Sequence, residues 1–106
     1  MAAGRKASSL CSVDFEVFGK VQGVFFRKYT KINATKHKLV GWVMNTPHNT
    51  VIGQLQGETA NVRLMRKWLR VTGSPQSRID RCEFKNEKNI SVLEFNDFDI
   101  RKMKPQ

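Results

Sequence analysis

The run Gly19-Lys20-Val21-Gln22-Gly23-Val24-Phe25-Phe26-Arg27 sets two glycines and an arginine where a strand-like stretch gives way to a helix-like one. Glycines at such a junction let the backbone curl so that successive amides converge on one point, which makes an anion cradle. A helix opening at its end adds the positive end of a dipole, and Arg27 adds a planar, permanently charged fork that fits phosphate oxygens. So read, the loop amides, the helix dipole and the Arg27 guanidinium aim at one phosphate. A plainer reading stays open on this segment alone: an ordinary tight turn, with Arg27 one of nineteen basic residues. No Gly-Lys-Ser or Gly-Lys-Thr stands where a P-loop needs it, and no cysteine precedes Arg27 at the spacing of a cysteine phosphatase loop. The cradle has no built-in nucleophile.

A second constellation is Gly41-Trp42-Val43-Met44-Asn45-Thr46. The carboxamide oxygen of Asn45 can accept a proton from water while its nitrogen donates to phosphate, so Asn45 can hold a water in line with a bound phosphorus. An Asn ahead of Thr46-Pro47 is also a common turn former. His37 and His48 need no catalytic role, and Cys11 and Cys82 lack the paired spacing that closes a zinc site. No metal and no cofactor are expected.

These residues need elements to hold them. Cys11, Val13, Phe15 and Val17 alternate with Ser12, Asp14 and Glu16, the period of a strand with one wet face. Residues 26–37 lack Gly and Pro and set Phe26, Tyr29, Thr30 and Ile32 near one face, which predicts a helix. Leu39–Asn45 and Thr50–Gln56 flank Thr46-Pro47-His48-Asn49, which predicts a hairpin with Asn49 left-handed. Thr59–Val71 carries Val62, Met65, Trp68 and Leu69 at helical spacing, and Gly73 and Pro75 stop it. Two further strands are predicted at Ile79–Phe84 and Ser91–Phe98, with Asn86–Asn89 as the turn. Trp42, Trp68, Val62 and Met65 are assigned to the core, and Arg63, Arg66, Lys67 and Arg70 to a solvated helix face.

The order strand, helix, strand, strand, helix, strand predicts an α+β fold of the ferredoxin-like kind, a βαββαβ sandwich with two helices packed on one face of an antiparallel sheet. Residues 1–10 read as a flexible tail, 11–101 as the domain and 102–106 as a short basic tail. A chain of 106 residues carries one core, and 40% apolar residues with seven Phe and two Trp supply it. Nineteen Lys and Arg against nine Asp and Glu give +10, so partners should be anionic: a phosphorylated small molecule, nucleic acid or an acidic membrane surface. No apolar run has signal-peptide or membrane-span length, so the expected address is the cytoplasm, without membrane insertion and with reduced thiols.

The runs Gly19 to Arg27 and Gly41 to Asn45, followed by Thr50-Val51, Gly53 and Gly57, resemble the two signature segments of the acylphosphatase family. The likeness extends from about Ser12 to Ile100 and includes Gly73-Ser74-Pro75. It implies a monomeric, metal-independent hydrolase of acyl phosphates without an obligate protein partner. Arg27 and the amides from Gln22 to Arg27 then bind phosphate, and Asn45 orients the attacking water. The implied substrates include carbamoyl phosphate, bisphosphoglycerate and the aspartyl phosphate of an ion pump. Family members usually carry Gly where this chain has Asn49, and often where it has Lys38; Asn tolerates a left-handed backbone, and Lys38 should strain the helix exit. The rival is a ferredoxin-like nucleic-acid or anion-binding module without catalysis, which should expose aromatics on its two central strands.

Overall fold

The computed structural model describes residues 9–102, so the predicted tails fall outside it except for Ser9, Leu10 and Lys102. The elements run β1 (Leu10–Lys20), α1 (Phe26–Lys36), β2 (Val40–Asn45), β3 (Val51–Glu58), α2 (Thr59–Lys67), β4 (Arg78–Ile90) and β5 (Phe98–Arg101). They build one five-stranded sheet in the order β4-β1-β3-β2-β5. β1 pairs antiparallel with β3 and β4, and β2 pairs antiparallel with β3. β5 runs parallel to β2, so the sheet is mixed rather than antiparallel as predicted. The α+β class with two helices and a ferredoxin-like arrangement stands.

The period of two in β1 decides which face is dry. Val13, Phe15 and Val17 are buried with Val43, Val51 and Leu55 of the neighbouring strands. Phe26, Thr30 and Ala34 of α1 and Val62 and Met65 of α2 are buried with them, as is Leu69 beyond α2. Burying one such large apolar side chain is worth about 1.5–3 kcal/mol. The ion pairs Arg66–Glu87, Arg78–Asp80 and Arg81–Glu83 are partly or largely exposed and contribute about 0–1 kcal/mol each, so packing holds the fold.

Several local readings need correction. Ile32 is exposed, because the buried stripe of α1 is the i, i+4, i+8 set Phe26, Thr30 and Ala34. α2 stops at Lys67 and widens into a π-helical turn, Trp68–Thr72, closed by the Gly73 N–H donating to the Trp68 carbonyl at 2.9 Å. The predicted turn Asn86–Asn89 is not a turn. β4 runs through it for 13 residues, with left-handed Asn86 (φ 55°) where the register against β1 shifts between Ser12 and Asp14. An Asn in that conformation makes a bulge as readily as a hairpin.

Ser91–Phe98 is not a strand before Phe98. β4 and β5 are the two sheet edges, four strand spacings or about 19 Å apart. The segment Ser91–Asp97 must cross that distance, which consumes most of its extended reach of about 25 Å. It is tied down on the way by Glu94, whose N–H donates to Gln56 Oε1 and whose Oε1 accepts from Gln56 Nε2 at 2.6 Å. Trp42 also leaves the predicted core: it lies half-buried on the helix-free face, with the Arg101 guanidinium 4.6 Å from its ring.

Candidate active site

The ends of β1, β2 and β5 and the start of β3 meet at one end of the sheet, away from the 91–97 crossing. Val21 and Val24 are buried and pin the loop that follows β1, while Gly23 between them takes φ 76° with open space where a Cβ would sit. The backbone conformation therefore selects glycine there. Gly19 is selected differently: an added Cβ would sit 2.1 Å from the Arg78 carbonyl oxygen, so the bulged edge of β4 could not approach.

Phe25 enters α1 with φ 59°, unusual for a bulky residue, and is 68% exposed while Phe26 is 1% exposed. The Phe26 ring packs 5.5 Å from that of Trp68 and fixes the start of the helix. α1 has no side-chain cap and no acidic residue in its first turn; Arg27 and Lys28 stand there instead. The Tyr29 N–H donating to the Phe25 carbonyl is the first bond of the helix, so the amides before it point onward without an intrahelical acceptor. Such a terminus attracts an anion.

Asn45 ends β2 opposite Val51, and the hairpin behind it is rigidly wired. Thr50 Oγ1 donates to Glu16 Oε2 at 2.7 Å. Its single proton being spent, the 2.7 Å contact between the Thr46 and Thr50 hydroxyls must be a donation from Thr46. Thr46 Oγ1 in turn accepts from the His48 N–H. Gln22 Nε2 donates to the carbonyls of Thr46 (2.9 Å) and Thr50 (2.8 Å), which fastens the loop after β1 to the hairpin that carries Asn45.

These elements enclose a cleft of about 410 Å³ lined by Val21, Gly23, Phe25, Phe26, Arg27, Lys28, Asn45 and Ile100. Of the predicted residues, Gly23, Phe25, Phe26, Arg27 and Asn45 come together on its wall. The side chains of Gln22 and Val24 turn elsewhere, Gln22 to the hairpin and Val24 into the core, whereas the part predicted for these two belongs to their backbone amides. Sequence reasoning does not reach Lys28, Val21 or Ile100. Lys28 is signalled only by its position beside Arg27, and Ile100 lies on a strand that the pattern places too early. Two cations and no carboxylate line the cleft. The Oδ1 of Asn45 is buried with no hydrogen-bond partner among the described residues, a cost of about 1–3 kcal/mol that proteins tend to keep where a ligand is met.

On the helix-free face Trp42 carries the Arg101 guanidinium against its ring. On the central strands this face carries the carboxylates Asp14 and Glu16 with Gln54 and Ile52, and its aromatic Phe18 is covered by Arg81 at 3.8 Å. Cys11 and Cys82 are both free thiols. Burial pushes the Cys82 thiol up to about 12, against the pull of Arg70 and Arg66.

The family model Acylphosphatase matches residues 13–100. Over 96 residues the chain is 62% identical to Acylphosphatase-1 of Gallus gallus, covering 91% of this chain and 97% of that one. It is 58% identical over 95 residues to Acylphosphatase-2 of Homo sapiens, covering 90% and 96%. Among solved structures it is similar to an acylphosphatase from Coxiella burnetii, with TM-score 0.76 and 33% identity over 88% of this chain and 94% of that one.

Proposed function

The chain belongs to the acylphosphatase family and hydrolyses the carboxyl–phosphate bond of acyl phosphates, and on that premise we propose how its residues divide the work. Arg27 and the loop amides hold the phosphoryl oxygens. Gly23, Phe25, Phe26 and Arg27 are the members of the predicted set that reach the cleft, and Lys28 adds charge. Asn45 accepts a hydrogen bond from a water and aims its oxygen at phosphorus.

The water oxygen bonds to phosphorus as the bond from phosphorus to the acyl oxygen breaks. The electron pair leaves on the carboxylate, and the water proton ends on inorganic phosphate. Such a transfer passes through a loose transition state that rewards positioning and charge stabilisation. A carboxylate is a good leaving group and needs no general acid, which suits a cleft lined by cations and an amide. The observation that carries this reading is the unpartnered carboxamide of Asn45 in the same cleft as Arg27 and the uncapped start of α1.

A monomeric enzyme is part of the proposal, as the family resemblance implies. An aspartyl phosphate on a protein presents the same anhydride, so ion-pump intermediates fall within the proposed substrate class, and the proposed setting is the cytoplasm. No helix among the described residues is long and apolar enough to cross a membrane. Hydrolysis of benzoyl phosphate in ¹⁸O-water tests the direction of attack. The label is expected in inorganic phosphate; label in benzoate would mean attack at the carbonyl carbon and would remove the role given to Asn45.

A further inference from the structure

The roles given to the cleft residues account for the phosphate and the water and assign nothing to the acyl group. Beside it lies a second hollow of about 240 Å³, lined by Val24, Phe25, Tyr29, Pro75 and Gln76. Phe25 is common to both, so this residue stands between them. The left-handed backbone at Phe25 turns this residue out to solvent, where an apolar residue gains nothing from the core. No charged side chain lines the second hollow, and Asn45 lines only the first.

In-line displacement requires the leaving carboxylate to depart on the side of phosphorus opposite the attacking water. With the water at Asn45, the acyl group must leave away from β2, and the hollow behind Phe25 is the neighbouring space in which Asn45 has no part. Resting on the roles given above to Arg27 and Asn45, we propose that this hollow is the acyl-group subsite. Phe25 and Tyr29 supply rings for offset or edge-to-face packing, and Val24 and Pro75 supply apolar wall. The enzyme therefore prefers aromatic and bulky apolar acyl phosphates to small ones, and gives no advantage to an acyl group bearing a second carboxylate.

The test compares kcat/KM for benzoyl phosphate and acetyl phosphate, with inhibition by inorganic phosphate measured in parallel. Gln76→Trp fills the hollow from an exposed turn outside the phosphate site. It should lower kcat/KM for benzoyl phosphate about fivefold, and leave acetyl phosphate turnover and phosphate inhibition unchanged. Phe25→Ala should narrow the benzoyl-to-acetyl ratio by a similar factor whatever it does to either rate. A ratio that stays at the wild-type value in both variants overturns the subsite. Weakened inhibition by inorganic phosphate in Gln76→Trp would also overturn it, because the hollow would then belong to the phosphate site. Failure of the phosphate and water roles reads out elsewhere, in the Arg27 and Asn45 variants and in the position of the ¹⁸O label.

Discussion

Two concavities of the molecule handle polar groups in opposite ways. The hollow on the helix-free face is lined by Asp14, Glu16, Trp42, Gln54 and Lys85 among others, and its acids are committed. Asp14 accepts from Gln54 Nε2 and Asn86 Nδ2, each at 2.8 Å, and Glu16 accepts from Thr50. The cleft at the end of the sheet has the Arg27 guanidinium without a carboxylate partner among the described residues, a helix start without a cap, and the orphaned Oδ1 of Asn45. Satisfied polar groups fix a structure; unsatisfied ones, held in place by their neighbours, wait for a ligand. The contrast separates scaffold from site more surely than concavity does.

Paired glutamines test that contrast directly. Gln22 joins the loop after β1 to the hairpin of Asn45, whereas Gln54 joins two strands on the helix-free face. Gln22→Ala frees the cradle from the water-holding residue. It should lower kcat about tenfold and cost about 1–2 kcal/mol in urea unfolding, the worth of two hydrogen bonds to carbonyls left behind. Gln54→Ala should keep kcat within about twofold of wild type. Equal losses of activity in the two variants would erase the distinction between the regions.

A smaller effect is expected at the exit of α1. The Lys38 N–H donates to the Thr35 carbonyl and the Leu39 N–H to the Ala34 carbonyl, a helix-ending pattern that puts Lys38 at φ 59°. Lys38→Gly should raise unfolding free energy by about 1 kcal/mol without changing kcat, because the strain belongs to the scaffold. Asn49 (φ 66°) has the same backbone sign, but Asn carries less of that cost.

The smallest effect is a slope. The folded Cys82 thiol titrates at about 12 against 9.0 for a free one, so the unfolded chain releases this proton first. The stability it contributes is whole below pH 9 and is lost as pH rises towards 12. Urea midpoints from pH 8 to 11 should fall less steeply for Cys82→Ala than for wild type; parallel curves would contradict the raised titration of this half-buried thiol.

The sequence announces the first half of the fold well. β1, α1 and the β2–β3 hairpin each have a clear period and glycine or turn residues at their ends. The second half misleads because Asn86 and its charged neighbours read as a hairpin turn when they form a bulge on an edge strand. The apolar Val92, Leu93 and Phe95 mimic strand alternation in a segment whose length is spent crossing the sheet. In the site, Arg27 and Asn45 are legible from residue type and from the family resemblance. The work of Gln22 is not, because its acceptors lie 24 and 28 residues away on a hairpin whose position only the fold supplies. Ile100 is hidden for the same reason as β5.

The central claim is the division of labour between Arg27 and Asn45, and the most direct measurement is turnover of benzoyl phosphate set beside competitive inhibition by inorganic phosphate in Arg27→Ala and Asn45→Ala. Both variants should fold, since Arg27 makes no ion pair among the described residues and the Asn45 Oδ1 has no hydrogen-bond partner there. Loss of the guanidinium should abolish inhibition and lower kcat/KM by about 10³ or more. Loss of the carboxamide should lower kcat by about 10² or more while phosphate still inhibits near its wild-type constant. An Asn45→Ala enzyme that turns over at the wild-type rate, or an Arg27→Ala enzyme that still binds phosphate as wild type does, would contradict the account.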